Sequence, residues 1–181
     1  MKVQVIYSSL TGCTERVAKA IWNGLDTDKS IHNLSDGAPV LDGDIILLGY
    51  WVDKGGPNHE MMEFLKTIQN KAVGIFCTLG YYADSVHAQQ SVQAGIDCVK
   101  ENNAVIGSYV CNGALSPEMI AAMRKGGSGP HAATPQKEIR WKIMENHPTP
   151  AECALAAERF RERVELYQCF REQNLEFTSI L

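Results

Sequence analysis

Nowhere in the 181 residues does an apolar run approach the ~18 that a membrane-crossing helix needs, and the opening Met1-Lys2-Val3-Gln4-Val5-Ile6-Tyr7 is too short for a secretory signal. A soluble, cytoplasmic protein with no membrane partner is the expectation. The six cysteines (13, 77, 98, 111, 153 and 169) contain no Cys-x-x-Cys pair, which removes the usual zinc and dithiol arrangements. Several sit inside apolar runs and read as small buried hydrophobes in a reducing compartment. Basic excess is also missing: Lys plus Arg number 17 against 21 Asp plus Glu, and the surplus acid falls in the first two thirds of the chain. Nucleic acid is excluded as a partner on that ground. The five histidines, His32, His59, His87, His131 and His147, share no metal-ligand spacing and are read as surface or capping groups, so no metal is expected. Neither Gly-x-x-x-x-Gly-Lys-Ser/Thr nor Gly-x-Gly-x-x-Gly occurs, which excludes the standard triphosphate and dinucleotide loops.

What is present has a clear order. Three short, nearly continuous apolar runs rich in β-branched residues, Val3–Tyr7, Ile45–Tyr50 and Ala72–Cys77, have the character of strands covered on both faces. Ala104–Cys111 is a weaker fourth, and Ser30–Leu34 a marginal edge strand. Helical spacing separates them: Val17, Ile21 and Leu25, then Ala88, Val92, Ile96 and Val99. Ser116-Pro117, Thr134-Pro135 and Thr149-Pro150-Ala151-Glu152 each place a capping residue before Pro at the first helical position. The last is a capping box opening a long helix through Ala156, Phe160, Val164 and Tyr167. Ile139 and Ile143 mark the helix after Pro135. The expected fold is therefore a single α/β domain with a doubly wound five-stranded parallel sheet and helices on both faces. A helical segment at about 126–149, entered through Gly126-Gly127-Ser128-Gly129-Pro130, is inserted before the terminal helix, as a lid or as a packed connection.

Chemistry concentrates in Ser8-Ser9-Leu10-Thr11-Gly12-Cys13-Thr14, between the first strand and the first helix. Hydroxyls crowd a turn whose backbone N–H groups meet a helix N-terminus, where unsatisfied donors and partial positive charge favour a phosphate. Neither Cys13 nor Cys77 is followed by an Arg at the spacing of a phosphate-attacking cysteine, so the loop is expected to bind a phosphate monoester without attacking it.

The stretch Ser9-Leu10-Thr11-Gly12-Cys13-Thr14 resembles the flavodoxin phosphate loop, Ser/Thr-x-Thr-Gly-x-Thr, in its family position after strand one. Tyr50-Trp51-Val52-Asp53-Lys54-Gly55, Gly80-Tyr81-Tyr82-Ala83-Asp84-Ser85 and Pro130–Pro135 are similar to a divergent bacterial flavodoxin branch, which includes accessory flavodoxins associated with bilirubin reduction. The resemblance implies strand order 2-1-3-4-5 and one FMN at the switch point between strands one and three. It directs attention to two loops expected after the third and fourth main strands: Tyr50, Trp51, Val52, Asp53, Lys54 and Gly55, and Thr78, Leu79, Gly80, Tyr81, Tyr82 and Asp84. Trp51 and one of Tyr81 and Tyr82 are the candidates for the two faces of the flavin ring. Cys13 stands where Asn is common, and Val52 where many flavodoxins have a Gly whose peptide can turn toward reduced flavin.

The favoured function is an electron carrier serving a redox partner protein, such as a reductase, with Asp53 and Asp84 as the negative charges that lower the flavin potential. The alternatives are an FMN-dependent reductase of quinones or tetrapyrroles, with Lys54, His59 or residues near His131 lining a pocket, and a flavin-free interaction module of the same fold.

Overall fold

The computed structural model describes residues 1–126 and 132–179. Its first strand, Lys2–Tyr7 (β1), leads into Cys13–Gly24 (α1) and the edge strand Asp28–Asn33 (β2). Ile45–Asp53 (β3), the two-residue strand Gly56–Pro57 (β4) and His59–Leu65 (α2) follow. Then come Ala72–Leu79 (β5), Val86–Val99 (α3), Ala104–Asn112 (β6), Pro117–Lys125 (α4), Pro135–Met144 (α5) and Pro150–Glu172 (α6).

The sheet runs β2-β1-β3-β5-β6 with all four pairings parallel, and β4 adds to β3 in antiparallel sense. With β4 set aside, this is the expected order 2-1-3-4-5. The chain leaves β1 for β2 on one side and reaches β3 on the other, so the switch point lies between β1 and β3.

Two separate apolar clusters explain why the central strands lack polar alternation. Val5, Leu47 and Phe76 face Val17 and Ile21 of α1 and Phe160 and Val164 of α6, whereas Ile46, Leu48 and Ile75 face Met61 and Leu65 of α2 and Val92 and Ile96 of α3. Burial on both faces makes each of these strands a continuous hydrophobic run.

Two details depart from expectation. β3 and β5 run further than their apolar cores suggested, so Tyr50, Trp51, Val52 and Asp53, and Thr78 and Leu79, are strand rather than loop residues. The cause is pairing: Trp51 is in register with Thr78, while Val52 and Asp53 pair with Pro57 and Gly56 across a tight turn. Lys54 and Gly55 form that turn with φ of 49° and 85°, a left-handed pair suited to the twist of a hairpin. In α5, Ile139 and Ile143 are exposed, and Trp141 and Met144 are the buried residues. The inward stripe is thus set by where α5 crosses its neighbours. The capping box is formed as expected: Glu152 N–H donates to Thr149 Oγ1 at 3.2 Å and Thr149 N–H to Glu152 Oε2 at 2.6 Å. Gly127 through His131 lie outside the described residues, so the expectations placed on Pro130 and His131 do too.

Among the described residues no helix is long and apolar enough to cross a membrane, and no group of three His, Cys, Asp or Glu is placed to share a metal ion.

Candidate functional site

At the C-terminal end of β1 the chain is held before it turns. Ser8 N–H donates to Gly49 O at 2.9 Å; its hydroxyl donates to Glu60 Oε2 at 2.8 Å and accepts from Asn58 Nδ2 at 2.9 Å. Ser9 Oγ accepts from Glu15 N–H at 3.2 Å, which settles one early amide of α1. Gly12 then occupies the N-cap with φ of 80° and no side-chain cap, and a Cβ built there would meet nothing within 4 Å. Among the described residues, the N–H groups of Leu10, Thr11, Gly12, Cys13 and Thr14 find no acceptor in the protein. The result is an open cradle of amides at a helix N-terminus, a donor set that fits an anion such as a phosphate monoester.

The four loop hydroxyls divide by role. Ser8 and Thr14 are buried, and Thr14 Oγ1 lies 2.9 Å from Thr78 Oγ1, tying the loop to β5. Ser9 caps Glu15. Thr11 is exposed, its hydroxyl 3.1 Å from Cys13 Sγ. Arg16 braces the loop from the other side: its guanidinium donates to His147 O at 2.7 Å and Pro148 O at 3.2 Å, joining α1 to the chain leaving α5. Burial, with Glu15 beside it, raises the Tyr7 hydroxyl above its ordinary value, so the residue before the loop stays neutral.

Beside the cradle runs a cleft with a narrow and a wide end. The narrow end, about 60 Å³, is bounded by Leu10, Thr11, Cys13 and Thr78. The wide end, about 760 Å³, is bounded by Asp53, Lys54, Gly55 and Tyr81. Trp51, Val52, Leu79 and Gly80 line both, which makes the two ends continuous. Gly80 is required by close packing there, since a Cβ would fall 2.3 Å from Leu115 Cδ2.

Of the sequence candidates, the cleft thus gathers Leu10, Thr11, Cys13, Trp51, Val52, Asp53, Lys54, Gly55, Thr78, Leu79, Gly80 and Tyr81. Ser8, Ser9, Gly12, Thr14, Tyr50, Tyr82 and Asp84 do not line it. Gly12 and Thr14 contribute amides to the cradle instead. Tyr50 is fully buried and its hydroxyl donates to Ser91 O at 2.8 Å; Asp84 is exposed. Tyr81, not Tyr82, meets the cleft, with the Arg140 guanidinium 4.6 Å from its ring centroid.

Sequence reasoning missed the far wall. Leu115 and Met119 come from the β6–α4 connection and α4, Met123 from the end of α4, and Arg140 and Trp141 from α5. The two helices are clamped by a bidentate ion pair, Arg124 to Glu138 at 2.7 and 2.6 Å. His87 also lines the wide end, whereas His59 does not. The Ser-Pro and Thr-Pro starts revealed both helices but not what they cover.

The cysteines are apolar in behaviour where they are deepest: burial pushes the Cys77 thiol up to about 12 and holds that of Cys111 well above its ordinary value.

A doubly wound parallel sheet of order 2-1-3-4-5, with an open amide cradle at its switch point and a cleft beside it, is the architecture of flavodoxin-like open α/β domains. A family model described as Flavodoxin domain matches residues 4–161. Over 129 residues the chain is 30% identical to the flavodoxin-like domain-containing protein BilS of Clostridioides difficile (strain CD3), across 69% of this chain and 73% of that protein. The chain belongs to the flavodoxin family. In fold it matches Flavodoxin 2 from Bacillus cereus with a TM-score of 0.56 at 19% identity, over 90% of this chain and 99% of that one. It likewise matches a Fusobacterium nucleatum flavodoxin bound to flavin mononucleotide, with a TM-score of 0.53 at 14% identity, over 93% and 97% of the two chains.

Proposed function

We propose that the protein binds one FMN in this cleft and uses it to pass electrons to a redox partner protein. The observation that carries the reading is the cradle: five amides, Leu10 through Thr14, with no acceptor among the described residues, at the mouth of an aromatic-lined cleft. A flavin with a single terminal phosphate matches one cradle.

Bound FMN supplies reversible uptake of one or two electrons. The chain's own residues hold and shield it. The amides of 10–14 and the α1 N-terminus receive the phosphate, and the Thr14–Thr78 pair and Arg16 keep the loop in place. Trp51 and Tyr81 offer flat apolar surface to the ring, and Leu115 and Met119 exclude water from its far side. The charge around the wide end differs from the expected acidic one. Lys54, Lys137 and Arg140 line it against Asp53 alone, so the local field favours added negative charge.

The wall formed by α4 and α5 favours a second reading, an FMN-dependent reductase, because it leaves room for a small molecule beside the ring. Chromatography of the flavin released from purified protein tests the first claim: one FMN per chain is expected, and stoichiometric FAD or no flavin uptake overturns it. NADH or NADPH oxidation by the purified protein, with a quinone as acceptor, separates reductase from carrier.

A further inference from the structure

The wide end of the cleft carries a charge that the fold does not use. Arg140 sits on α5 with its guanidinium over the Tyr81 ring, but among the described residues it forms no ion pair, and its Nε is buried without a hydrogen-bond partner. The carboxylate two positions before it on α5, Glu138, is engaged by Arg124 through both oxygens. A buried, unpaired guanidinium N–H is costly to leave unmade, and the ring contact places the group without supplying a counter-charge. Lys54 and Lys137 line the same space, and among the described residues Asp53 is the lone carboxylate there. His87 lines it too, and the apolar part of the surface includes Trp141 and Met123. A volume of about 760 Å³ lies within the range of a small-molecule site.

We propose that the wide end of the cleft binds a second ligand beside the flavin, a flat apolar organic molecule bearing a carboxylate, with the carboxylate paired to Arg140. The apolar body lies against Trp141 and Met123. A guanidinium accepts a carboxylate through two parallel hydrogen bonds, which explains Arg rather than Lys at this position. The phosphate cradle is at the opposite end of the cleft, so the two anionic groups do not compete. The inference rests on the reading that FMN has its phosphate on the 10–14 amides and its ring against Trp51 and Tyr81, which leaves the part of the wide end bounded by Met123, Arg140 and Trp141 for the second ligand.

The test is calorimetric titration of the FMN-loaded protein with naphthoate and with naphthamide, which differ in charge and share a shape. Naphthoate is expected to bind about tenfold more tightly than the amide, the scale of one hydrogen bond to a charged group, and added salt should narrow that gap. Arg140→Gln should abolish the preference with FMN content unchanged, and Arg140→Lys should retain part of it. Equal affinities for acid and amide in the unaltered protein overturn the proposal. So does a loss of FMN retention in Arg140→Gln that matches the loss of naphthoate binding, because Arg140 would then serve the cofactor. If the protein takes up no FMN at all, the cofactor reading fails separately. The same acid-against-amide comparison on the flavin-free chain then decides the fate of the Arg140 site.

Discussion

Replacing Gly12 by Ala isolates the backbone of the cradle from everything else. The added Cβ meets no atom within 4 Å, so the substitution introduces no clash; what it disturbs is a φ of 80° that L side chains resist. Holding a non-glycine residue in that region costs roughly 1–2 kcal/mol. The loop can relieve the strain by rotating Gly12 out of the left-handed region, which turns the amides on either side away from a common point. Since those amides are what a phosphate would meet, the relief appears as lost affinity for the phosphate-bearing flavin. One to two kcal/mol corresponds to a factor of roughly 5–30. Quenching of flavin fluorescence, titrated with FMN and with riboflavin, reads both affinities. The expected outcome is a loss of that order for FMN with riboflavin unchanged and the thermal midpoint little moved. Equal losses for the two flavins would refute the argument, because the loop would then be shaping the ring site and not receiving a phosphate.

Three further outcomes are expected. Thr11→Ala should weaken FMN more than riboflavin, by about tenfold on the scale of a charged hydrogen bond, and Thr14→Ala, which frees the loop from β5, should also weaken FMN more than riboflavin. Thr14→Ala should in addition lower the thermal midpoint, since it strands the buried Thr78 hydroxyl, and an unchanged midpoint would refute the pairing. Stepwise reduction should yield little one-electron-reduced flavin in the native protein and more in Val52→Gly, because Val52 is held in the β3–β4 pairing and lacks the freedom of glycine; abundant one-electron form in the native protein would contradict this. Stability should fall as pH rises above about 9, because the unfolded Cys77 thiol ionises near 9.0 while the folded one keeps its proton until about 12. A flat stability profile in denaturant unfolding from pH 9 to 11 would refute that burial.

The parts of the fold that could be read from sequence are those written in local pattern. The strands β3 and β5 show as unbroken apolar runs because both faces are covered, and the helix starts at Ser116, Thr134 and Thr149 show as capping residues before proline. The turn at Gly12 was legible for a similar reason: hydroxyls and a glycine between a strand and a helix have few other uses. The far wall of the cleft was not, because Trp141 and Trp51 are 90 positions apart in sequence and meet one cavity through the packing of α5, which no local periodicity encodes. Ile139 and Ile143 illustrate the limit, being the more conspicuous apolar pair of α5 yet exposed, while Trp141 and Met144 turn inward. The same holds for Tyr81 and Tyr82, adjacent in sequence but distinguished by the Arg140 contact that only one of them makes. The hairpin at Lys54-Gly55 prolonged β3 beyond its apolar core, a consequence of pairing with Pro57 that the run Ile45–Tyr50 does not announce.

The most direct test of the central claim is the response of the loop amides themselves. Nitrogen-15 spectra and amide hydrogen exchange of the flavin-free protein, recorded with saturating FMN and then with saturating riboflavin, report on Leu10 through Thr14 one residue at a time. The account predicts that FMN shifts these amides and slows their exchange, whereas riboflavin perturbs Trp51 and Tyr81 but leaves Gly12, Cys13 and Thr14 as they were. Tight FMN binding with the 10–14 amides unmoved would contradict it.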